Sequence, residues 1–311
     1  MGARYEDSTQ SVDSFQAFTL IPVPVKVNLD FDKLMPATTL TWEFADNWQA
    51  RVGYSQTLSR PDLRELSPTR FRDEESGLLE RGNPNLQVTE LPNLDARVEH
   101  YFGQRQSFTL GVFYKDFKNP IERTFAREGD EFLRSFYNAD SAELFGVEAE
   151  VEWSLPIDRW FAGSRFVDDR RFYVIANVTW TDSEITLNPD AARDRQTDSR
   201  RPLQGQSEWL GNLQLGYERH DGRERLALMI NHAGERIRDV GLSGAPNQME
   251  TPPLMLDLVY ARAFDVAARE LEVSFSARNL LGEGYEVQQG GFVAERYDLG
   301  TSVSLGLSTK F

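Results

Sequence analysis

Three carboxylates recur at every second position in one stretch of the chain, at Glu148, Glu150 and Glu152. Residues two apart in a β-strand share a face, so these side chains would line one side of a sheet. They lie about 7 Å apart along one strand with no converging partner, whereas a divalent cation needs ligands that surround it. The pattern therefore favours an acidic stripe on one face of a sheet over a metal site. If that sheet closes into a barrel, the stripe would line the lumen, with Arg97 and Glu99 as further lumen-lining residues.

A second group suited to ligand chemistry lies in the long polar stretch from Ser59 to Val88. Guanidinium groups make forked hydrogen bonds to carboxylate or phosphate oxygens, and beside aromatic and Asn groups they also suit sugars. Long loops commonly carry recognition, although ordinary solvated loop charge is the alternative interpretation. The predicted ligand-binding residues are Arg60, Arg64, Arg70, Phe71, Arg72 and Arg81.

Catalytic and metal motifs are weak in this sequence. The histidines lie far apart, with no H-E-x-x-H spacing, and no G-x-S-x-G motif occurs. Three aspartates share one loop but lack the Gly and terminal Glu of an EF-hand, which favours a solvated or lipopolysaccharide-bridging loop. These residues are His100, His220 and His232, and Asp190, Asp194 and Asp198. We predict no catalytic residue, no metal and no cofactor, and therefore no enzyme.

Composition narrows the class of protein. A net charge of -15 disfavours nucleic-acid binding, which depends on Lys and Arg neutralising phosphates. Mean hydropathy is -0.50, and no apolar run approaches the roughly 18 residues of a membrane helix. A membrane barrel is compatible with these values, because alternation places half of each strand in a polar lumen. The 311 residues include no Cys, and the N-terminal residues do not resemble a signal peptide.

Alternation of apolar and polar residues indicates about twelve β-strands. Short connections such as Asp46-Asn47 and Asp221-Gly222 alternate with long ones, which predicts up-and-down topology with two unequal ends. Aromatic residues near the strand ends suggest interface girdles, namely Trp42, Trp48, Trp153, Trp180, Trp209 and Tyr217. The predicted strands cover 3–10, 38–44, 48–58, 94–102, 108–114, 145–153, 172–180, 209–217, 226–230, 254–260, 271–277 and 297–311.

The last predicted strand, residues 297–311, has apolar, aromatic or Thr side chains at odd positions and polar residues or Gly at even ones. Its length suits a tilted transmembrane strand, which needs roughly 9–11 residues. A terminal strand of this kind ending in Phe resembles the assembly signal of Gram-negative outer-membrane barrels. Phe311 is accordingly the predicted assembly signal, with the barrel assembly machinery as its partner.

Seven motifs follow one another along nearly the whole chain: GYSQTLSRPDLRELSP at 53–68, GNPNL at 82–86, NLD at 93–95, EHYF at 99–102, FYKDFKNPI at 113–121, FGVEAE at 145–150 and ARNLLG at 277–282. This ordered set resembles the later barrel of TonB-dependent outer-membrane receptors. The resemblance implies a 22-stranded barrel filled by an N-terminal plug, which binds a scarce solute and imports it with energy delivered through TonB.

The expected fold is all-β, an antiparallel up-and-down transmembrane β-barrel with about 12 of the 22 strands. Residues 1–311 are expected to be the C-terminal part of the receptor barrel, without plug or early strands. Function would be TonB-energised uptake of a siderophore, vitamin or oligosaccharide at the Gram-negative outer membrane. Expected partners are outer-membrane lipid and lipopolysaccharide, an undetermined small solute and, through the plug, TonB. A closed 12-stranded barrel with hydrolase activity and a soluble β-rich binding module are the alternatives.

The fragment hypothesis makes a direct prediction about mass. An antibody raised against residues 297–311 should detect, in the outer-membrane fraction, a band at well over twice the 35.5 kDa of this chain. A membrane band at 35.5 kDa would instead support the autonomous small barrel.

Overall fold

Two β-sheets make up most of the computed structural model, which describes residues 1–16, 23–74, 77–129, 131–187, 196–198, 200–266 and 269–310. The main sheet has twelve strands and the cap sheet has eight, with strands numbered along the chain. Three one-turn helices lie in the connections: α1 (Leu63–Leu66), α2 (Ile157–Trp160) and α3 (Arg165–Asp168). None of the helices in the described residues could span a membrane.

The main sheet is an antiparallel meander whose strand order follows the chain, as the alternating pattern predicts. Its strands are β1 (Gly2–Gln16), β2 (Val23–Ala45), β3 (Trp48–Ser59), β6 (Thr89–Gly103), β7 (Gln106–Lys118), β10 (Ser141–Leu155), β11 (Arg170–Thr186), β12 (Trp209–Arg219), β13 (Glu224–Ala233), β16 (Met255–Val266), β17 (Arg269–Arg278) and β20 (Ser302–Lys310). The prediction of about twelve antiparallel up-and-down strands is confirmed. Among the described residues, β1 and β20 are the two edges of the sheet.

Strand register places the apolar side chains of neighbouring strands in continuous rows on one face. Val52 lies opposite Ala96, Ala96 opposite Val112, and Val112 opposite Val147. We call this apolar face of the main sheet the outward face. Many of its side chains are exposed, up to 77% for Leu305. Exposed apolar surface of this extent marks contact with a membrane or a partner.

The opposite face of the main sheet carries the polar alternate residues. On it the ring of Phe113 lies over Gly146, so closely that a Cβ at residue 146 would overlap the ring. Gly146 pairs with Phe113 across β7 and β10. An aromatic ring that covers a glycine in a neighbouring strand fills the space left by the missing side chain and helps to fix the register.

The two ends of the main sheet differ. The short-turn end contains tight turns at Asn47, Arg105 and Gly222, all with positive φ, and the longer connection 156–169 with helices α2 and α3. Left-handed backbone is expected in two-residue hairpin turns, which explains the Asn and Gly at two of these positions. At the other end, the long connections extend far beyond the strands.

The sequence predicts long polar loops at this end. In the structure, four of the long connections instead contain strands that build the cap sheet. Each contributes one pair of strands, and the pairs join edge to edge. The cap strands are β4 (Arg70–Arg72), β5 (Leu79–Arg81), β8 (Ile121–Glu128), β9 (Glu131–Asn138), β14 (Arg236–Gly241), β15 (Gln248–Thr251), β18 (Gly284–Gln289) and β19 (Phe292–Asp298).

The two buried apolar clusters lie at the long-connection end, where the connections meet the ends of the main-sheet strands. One cluster of Val27, Leu66, Leu86 and Phe136 brings together β2, α1, the stretch before β6, and β9. A second cluster contains Ala139, Ala142, Ile185 and Leu203. Apolar side chains thus anchor the connections onto the strands from which they emerge.

Two predicted boundaries were wrong. The predicted strands 3–10 and 38–44 leave residues 11–37 outside any strand, but β1 and β2 form one long hairpin with Gly2 opposite Ala37 and Gln16 opposite Val23. In the region 297–311, Tyr297 belongs to cap strand β19 and only Ser302–Lys310 forms β20. Phe311 lies outside the described residues.

The break in the terminal segment has a clear local cause. Gly300 has φ 66°, a left-handed conformation that interrupts a strand. The buried Asn279 donates its side-chain N–H to the Gly300 carbonyl at 3.0 Å, and the Thr301 hydroxyl donates to the Asn279 carbonyl at 2.8 Å. This asparagine therefore holds the chain where it passes from the cap sheet into the main sheet.

The Phe113–Gly146 contact gives a stability prediction. Gly146→Ala should destabilise the folded sheet by about 1–3 kcal/mol, because the added methyl group forces the ring out of its position. Urea unfolding of the lipid-reconstituted protein, followed by heat-modifiable gel mobility, measures this change. Gly111→Ala on the same face is the control, since its Cβ would meet the nearest atom, Arg97 Cβ, at 3.5 Å. Equal unfolding midpoints for the two variants would contradict the packing argument.

Candidate functional site

The candidate site lies on the cap sheet, where hairpins from separate connections meet. Strands β8 and β9 form a hairpin that turns at Gly129, whose φ of 66° suits a tight turn. Its outer edges pair in parallel with other hairpins, β8 with β14 at Thr124–Val240 and β9 with β5 at Leu79–Leu133. These pairings bring side chains that are distant in sequence onto one surface.

Asp239 is the polar centre of this surface. Its side chain is fully buried and accepts from the guanidinium groups of Arg123 and Arg134, the latter at 3.1 Å. Arg238 Nε lies 3.4 Å from the same carboxylate. A buried charge is tolerated only when opposite charges and hydrogen bonds satisfy it, so these three arginines and Asp239 form one unit.

Two further contacts tie the connection between β11 and β12 to this unit. The Gln204 amide accepts from the backbone N–H of Arg123 at 2.6 Å and donates to the Arg123 carbonyl at 2.9 Å and to the carbonyl of Arg238. Arg201 makes a two-pronged ion pair with Glu122, at 2.8 and 2.6 Å, and both side chains are buried. Five long connections are therefore joined through buried polar groups or strand pairing.

A cavity of about 640 Å³ opens beside Asp239, and we call it the arginine cavity. Four guanidinium groups and three carboxylates converge on it from six strands or turns of the cap. Its lining residues are Asp73, Arg123, Arg134, Arg238, Glu250, Glu295, Arg296 and Tyr297. A neighbouring cavity of about 390 Å³ shares Arg123, Arg238 and Glu250 and adds Glu65 and Arg236.

Charged residues in and around the arginine cavity form ion pairs. Arg238 donates to Glu295 at 2.8 Å, Arg236 donates to Glu250 at 2.7 Å, and Arg296 pairs with Glu286. Guanidinium groups are rigid forks that bind carboxylate or phosphate oxygens with two parallel hydrogen bonds. A solute with several acceptor oxygens could replace the partly exposed carboxylate partners without leaving a guanidinium unpaired.

Burial and neighbouring charge set the protonation of this region. Burial lowers the pKa of Arg134, opposed by the charge of Asp239. Burial alone would lower the pKa of Arg238, but the hydrogen bond with Glu295 and the charge of Asp239 outweigh it and raise that pKa. Desolvation raises the pKa of Glu65. Guanidinium groups stay charged at neutral pH, so the neighbouring cavity becomes more positive when Glu65 gains a proton, which occurs at a higher pH than for an ordinary glutamate.

The predicted ligand-binding residues lie mainly along the edge of the cap. Arg60 pairs with Glu6, and the Arg64 guanidinium stacks 4.4 Å from the centroid of the Phe71 ring. Arg72 donates to the Gly77 carbonyl at 2.5 Å. None of the predicted six is among the described lining residues of the arginine cavity. In the structure they lie before α1 (Arg60), in α1 (Arg64), in β4 (Arg70, Phe71, Arg72) and in β5 (Arg81). Their role in binding stays a prediction.

The predicted lumen residues share the polar face of the main sheet. Gly111 of β7 pairs with Arg97 of β6 on one side and with Glu148 of β10 on the other, so the Arg97 and Glu148 side chains lie in one row across the sheet. Glu99 is 3% exposed and pairs with Arg97 at 2.6 Å and Arg51 at 3.4 Å. Glu150 and Glu152 follow Glu148 on the same face of β10. Contact of these residues with a plug stays a prediction.

Other sequence features do not converge. His100 stacks on Trp48 with ring centroids 4.1 Å apart, while His220 lies in the β12–β13 turn and His232 near the end of β13. In the part of the chain that the structure describes, no group of three or more His, Asp and Glu side chains could hold a metal ion. Asp190 and Asp194 lie outside the described residues, and Asp198 accepts from Asn247 at 2.9 Å.

The arginine cavity is not among the predicted sites, because its residues lie in stretches predicted to be connections. No strand is predicted between the strands 108–114 and 145–153, although Gly129-Asp130 between two alternating segments is a hairpin signal. The alternation of Arg236, Ile237 and Arg238 is a second signal of the same kind. Alternation of apolar and polar residues within the long connections indicates the strands, but it does not indicate which hairpins pair with one another.

Comparison with known proteins agrees with the antiparallel twelve-stranded architecture of the main sheet. A family model described as TonB dependent receptor-like, beta-barrel matches residues 1–280. No curated protein sequence matches the chain. Among solved structures, the fold is similar to the ferric-catecholate import receptor Fiu from K12 E. coli, with TM-score 0.65 and 12% identity over 99% of this chain and 42% of that one.

Two other receptors share the fold. The siderophore receptor PiuA from Acinetobacter baumannii has TM-score 0.61 and 13% identity, over 98% of this chain and 39% of that one. A variant of the ferric enterobactin receptor PfeA from Pseudomonas aeruginosa has TM-score 0.56 and 15% identity, over 92% of this chain and 42% of that one. The chain thus spans less than half the length of these receptors.

Asp239 provides the test of the cap. Asp239→Asn leaves three guanidinium charges around a neutral amide and should weaken the cap by about 3–5 kcal/mol, as loss of one partner from a buried ion pair does. Hydrogen exchange should show lost protection in β8, β9 and β14 but not in β12.

Asp265→Asn is the matched control, because Asp265 pairs with Arg223 in an exposed contact at the short-turn end. Its exchange pattern should equal that of the unmodified protein. Unchanged protection in the cap strands of the Asp239→Asn variant would show that the buried carboxylate does not hold the hairpins together.

Proposed function

The chain belongs to the TonB-dependent receptor β-barrel family, and from this premise we propose that it supplies barrel strands and solute-binding connections to an outer-membrane receptor. The receptor takes up a negatively charged ferric chelate with energy delivered through TonB. The arginine cavity is this chain's part of the binding site. The single observation that carries the assignment is the convergence of four guanidinium groups on one cavity at the long-connection end.

The location of the cavity supports a role in capture from outside the cell. In outer-membrane barrels the short turns face the periplasm and the long connections face the exterior. The cap sheet is built entirely from long connections, so its cavity lies on the extracellular side. Solute binding there precedes passage through the barrel.

Charge chemistry supports an anionic chelate as the solute. Catecholate and carboxylate groups that bind ferric iron present clustered anionic oxygens, which match guanidinium forks. Two of the three lining carboxylates, Glu250 and Glu295, already pair with arginines, so their negative charge is balanced within the protein. The similar solved structures, which are receptors named for siderophores, ferric catecholates or ferric enterobactin, agree with this class.

Uptake of iron from contrasting chelates tests the function. In cells that express the whole receptor containing this chain, radioactive iron should enter from the trianionic ferric enterobactin but not from the cationic hydroxamate ferrioxamine B. Uptake should stop when a protonophore removes the energy supply. Energy-dependent uptake of ferrioxamine B alone, or of neither chelate, would overturn the proposal.

Substitutions separate the cavity from the rest of the receptor. Arg296→Gln should weaken ferric enterobactin binding by about tenfold, the loss expected for one hydrogen bond to a charged group. Arg200→Gln is the control, because Arg200 is also exposed on the extracellular side but pairs with Glu184 outside the arginine cavity. Equal binding by the two variants would place the solute elsewhere on the receptor.

A further inference from the structure

The connection 156–169 between β10 and β11 differs from the other turns at its end of the sheet. It contains helices α2 and α3 and three large exposed side chains, Trp160, Phe161 and Phe166, which are 65%, 62% and 50% exposed. We call this connection the aromatic foot. Large exposed aromatic residues next to one another need a partner that is partly apolar.

The aromatic foot folds onto the outward face of the main sheet rather than across its polar face. The Phe166 ring lies 6.3 Å from the ring of Phe172 and 5.7 Å from that of Tyr217, and both residues belong to the outward apolar rows of β11 and β12. The Arg170 guanidinium stacks on Phe166 at 4.0 Å and also donates to its carbonyl at 2.9 Å. The foot is therefore continuous with the exposed apolar surface.

A buried carboxylate shows that this arrangement is specific. Glu224 shares the outward face of β13 with Leu226 but is only 3% exposed. It accepts from Arg170 at 2.5 Å, from the Tyr217 hydroxyl at 3.0 Å and from the Tyr260 hydroxyl at 3.3 Å. Arg170 thus bridges the Phe166 ring and the carboxylate, which fixes the foot against the outward face.

The charges on the foot indicate which surface it meets. Its exposed ionisable residues are Asp158, Arg159, Arg165, Asp168 and Asp169, three acids and two bases that give no net attraction to anionic lipid. Trp and other aromatic side chains favour the headgroup level of a bilayer, where one side is apolar and the other is hydrated. A zwitterionic headgroup layer accommodates both signs of charge beside these rings.

We propose that the aromatic foot inserts Trp160, Phe161 and Phe166 into the headgroup layer of the periplasmic leaflet and anchors the β10–β11 end of the sheet to phospholipid. We assign the foot to the periplasmic side because it belongs to the short-turn end, and short turns face the periplasm in outer-membrane barrels. The inference depends on the outward face of the strands and not on the proposed solute, so it stands or fails separately from the uptake function.

Spin labels at single cysteines test the anchor, because the chain has no Cys of its own. The receptor carrying Phe161→Cys, with any cysteine outside these 311 residues replaced by Ser, is labelled and reconstituted in vesicles of phosphatidylethanolamine and phosphatidylcholine. The label should collide more with oxygen, which concentrates in the bilayer, than with a water-soluble nickel complex. A label at Asp46→Cys, in the exposed β2–β3 turn at the same end, should show the reverse preference.

Each other outcome overturns the proposal. A label at residue 161 that is as accessible to nickel as the one at residue 46 would place the foot in water. A label shielded from both reagents would show contact with protein instead of lipid. Phe161 is an exposed side chain, and heat-modifiable gel mobility equal to that of the unmodified receptor confirms that the variant is folded before the label is interpreted.

Discussion

Backbone hydrogen bonding in a medium without water is the constraint on which the rest of this structure depends. Each unpaired N–H or C=O in hydrocarbon costs several kcal/mol, so strands that cross a membrane pair along their whole length. All fifteen residues of β10, Ser141–Leu155, pair with β11, and twelve of them also pair with β7. With the backbone satisfied within the sheet, side chains on one face are free to be apolar and those on the other to be polar.

The cap sheet solves a different problem with the same kind of pairing. Connections at the aqueous end could satisfy their backbone with water, yet four of them pair with one another and bury Asp239 beneath three arginines. Burial of these charges is unfavourable unless all of them are paired, so the hairpins are held in one arrangement. The arginine cavity takes its shape from that arrangement rather than from any single connection.

Sequence patterns predicted the main sheet well, because each membrane strand carries its own period-2 signal. Errors arose where a local signal conflicted with tertiary pairing. The stretch 11–37, which contains Pro22 and Pro24, carried no predicted strand, but β1 pairs with β2 up to Val23. The left-handed Gly300 divides one continuous alternation between two sheets. The arginine cavity was out of reach, since Arg123 and Asp239 are 116 residues apart and no local pattern indicates that they meet.

The parallel pairings of the cap carry a consequence for how the protein folds. Thr124 meets Val240 and Leu79 meets Leu133, so these contacts close long loops of chain, whereas the hairpins of the main sheet close short ones. Closing a longer loop costs more chain entropy, and contacts of large sequence separation form slowly. The cap edges are therefore expected to join only after the strands beneath them have been brought into order. Until then the edges of the cap hairpins are open to mispairing, which makes this late step the vulnerable stage of assembly.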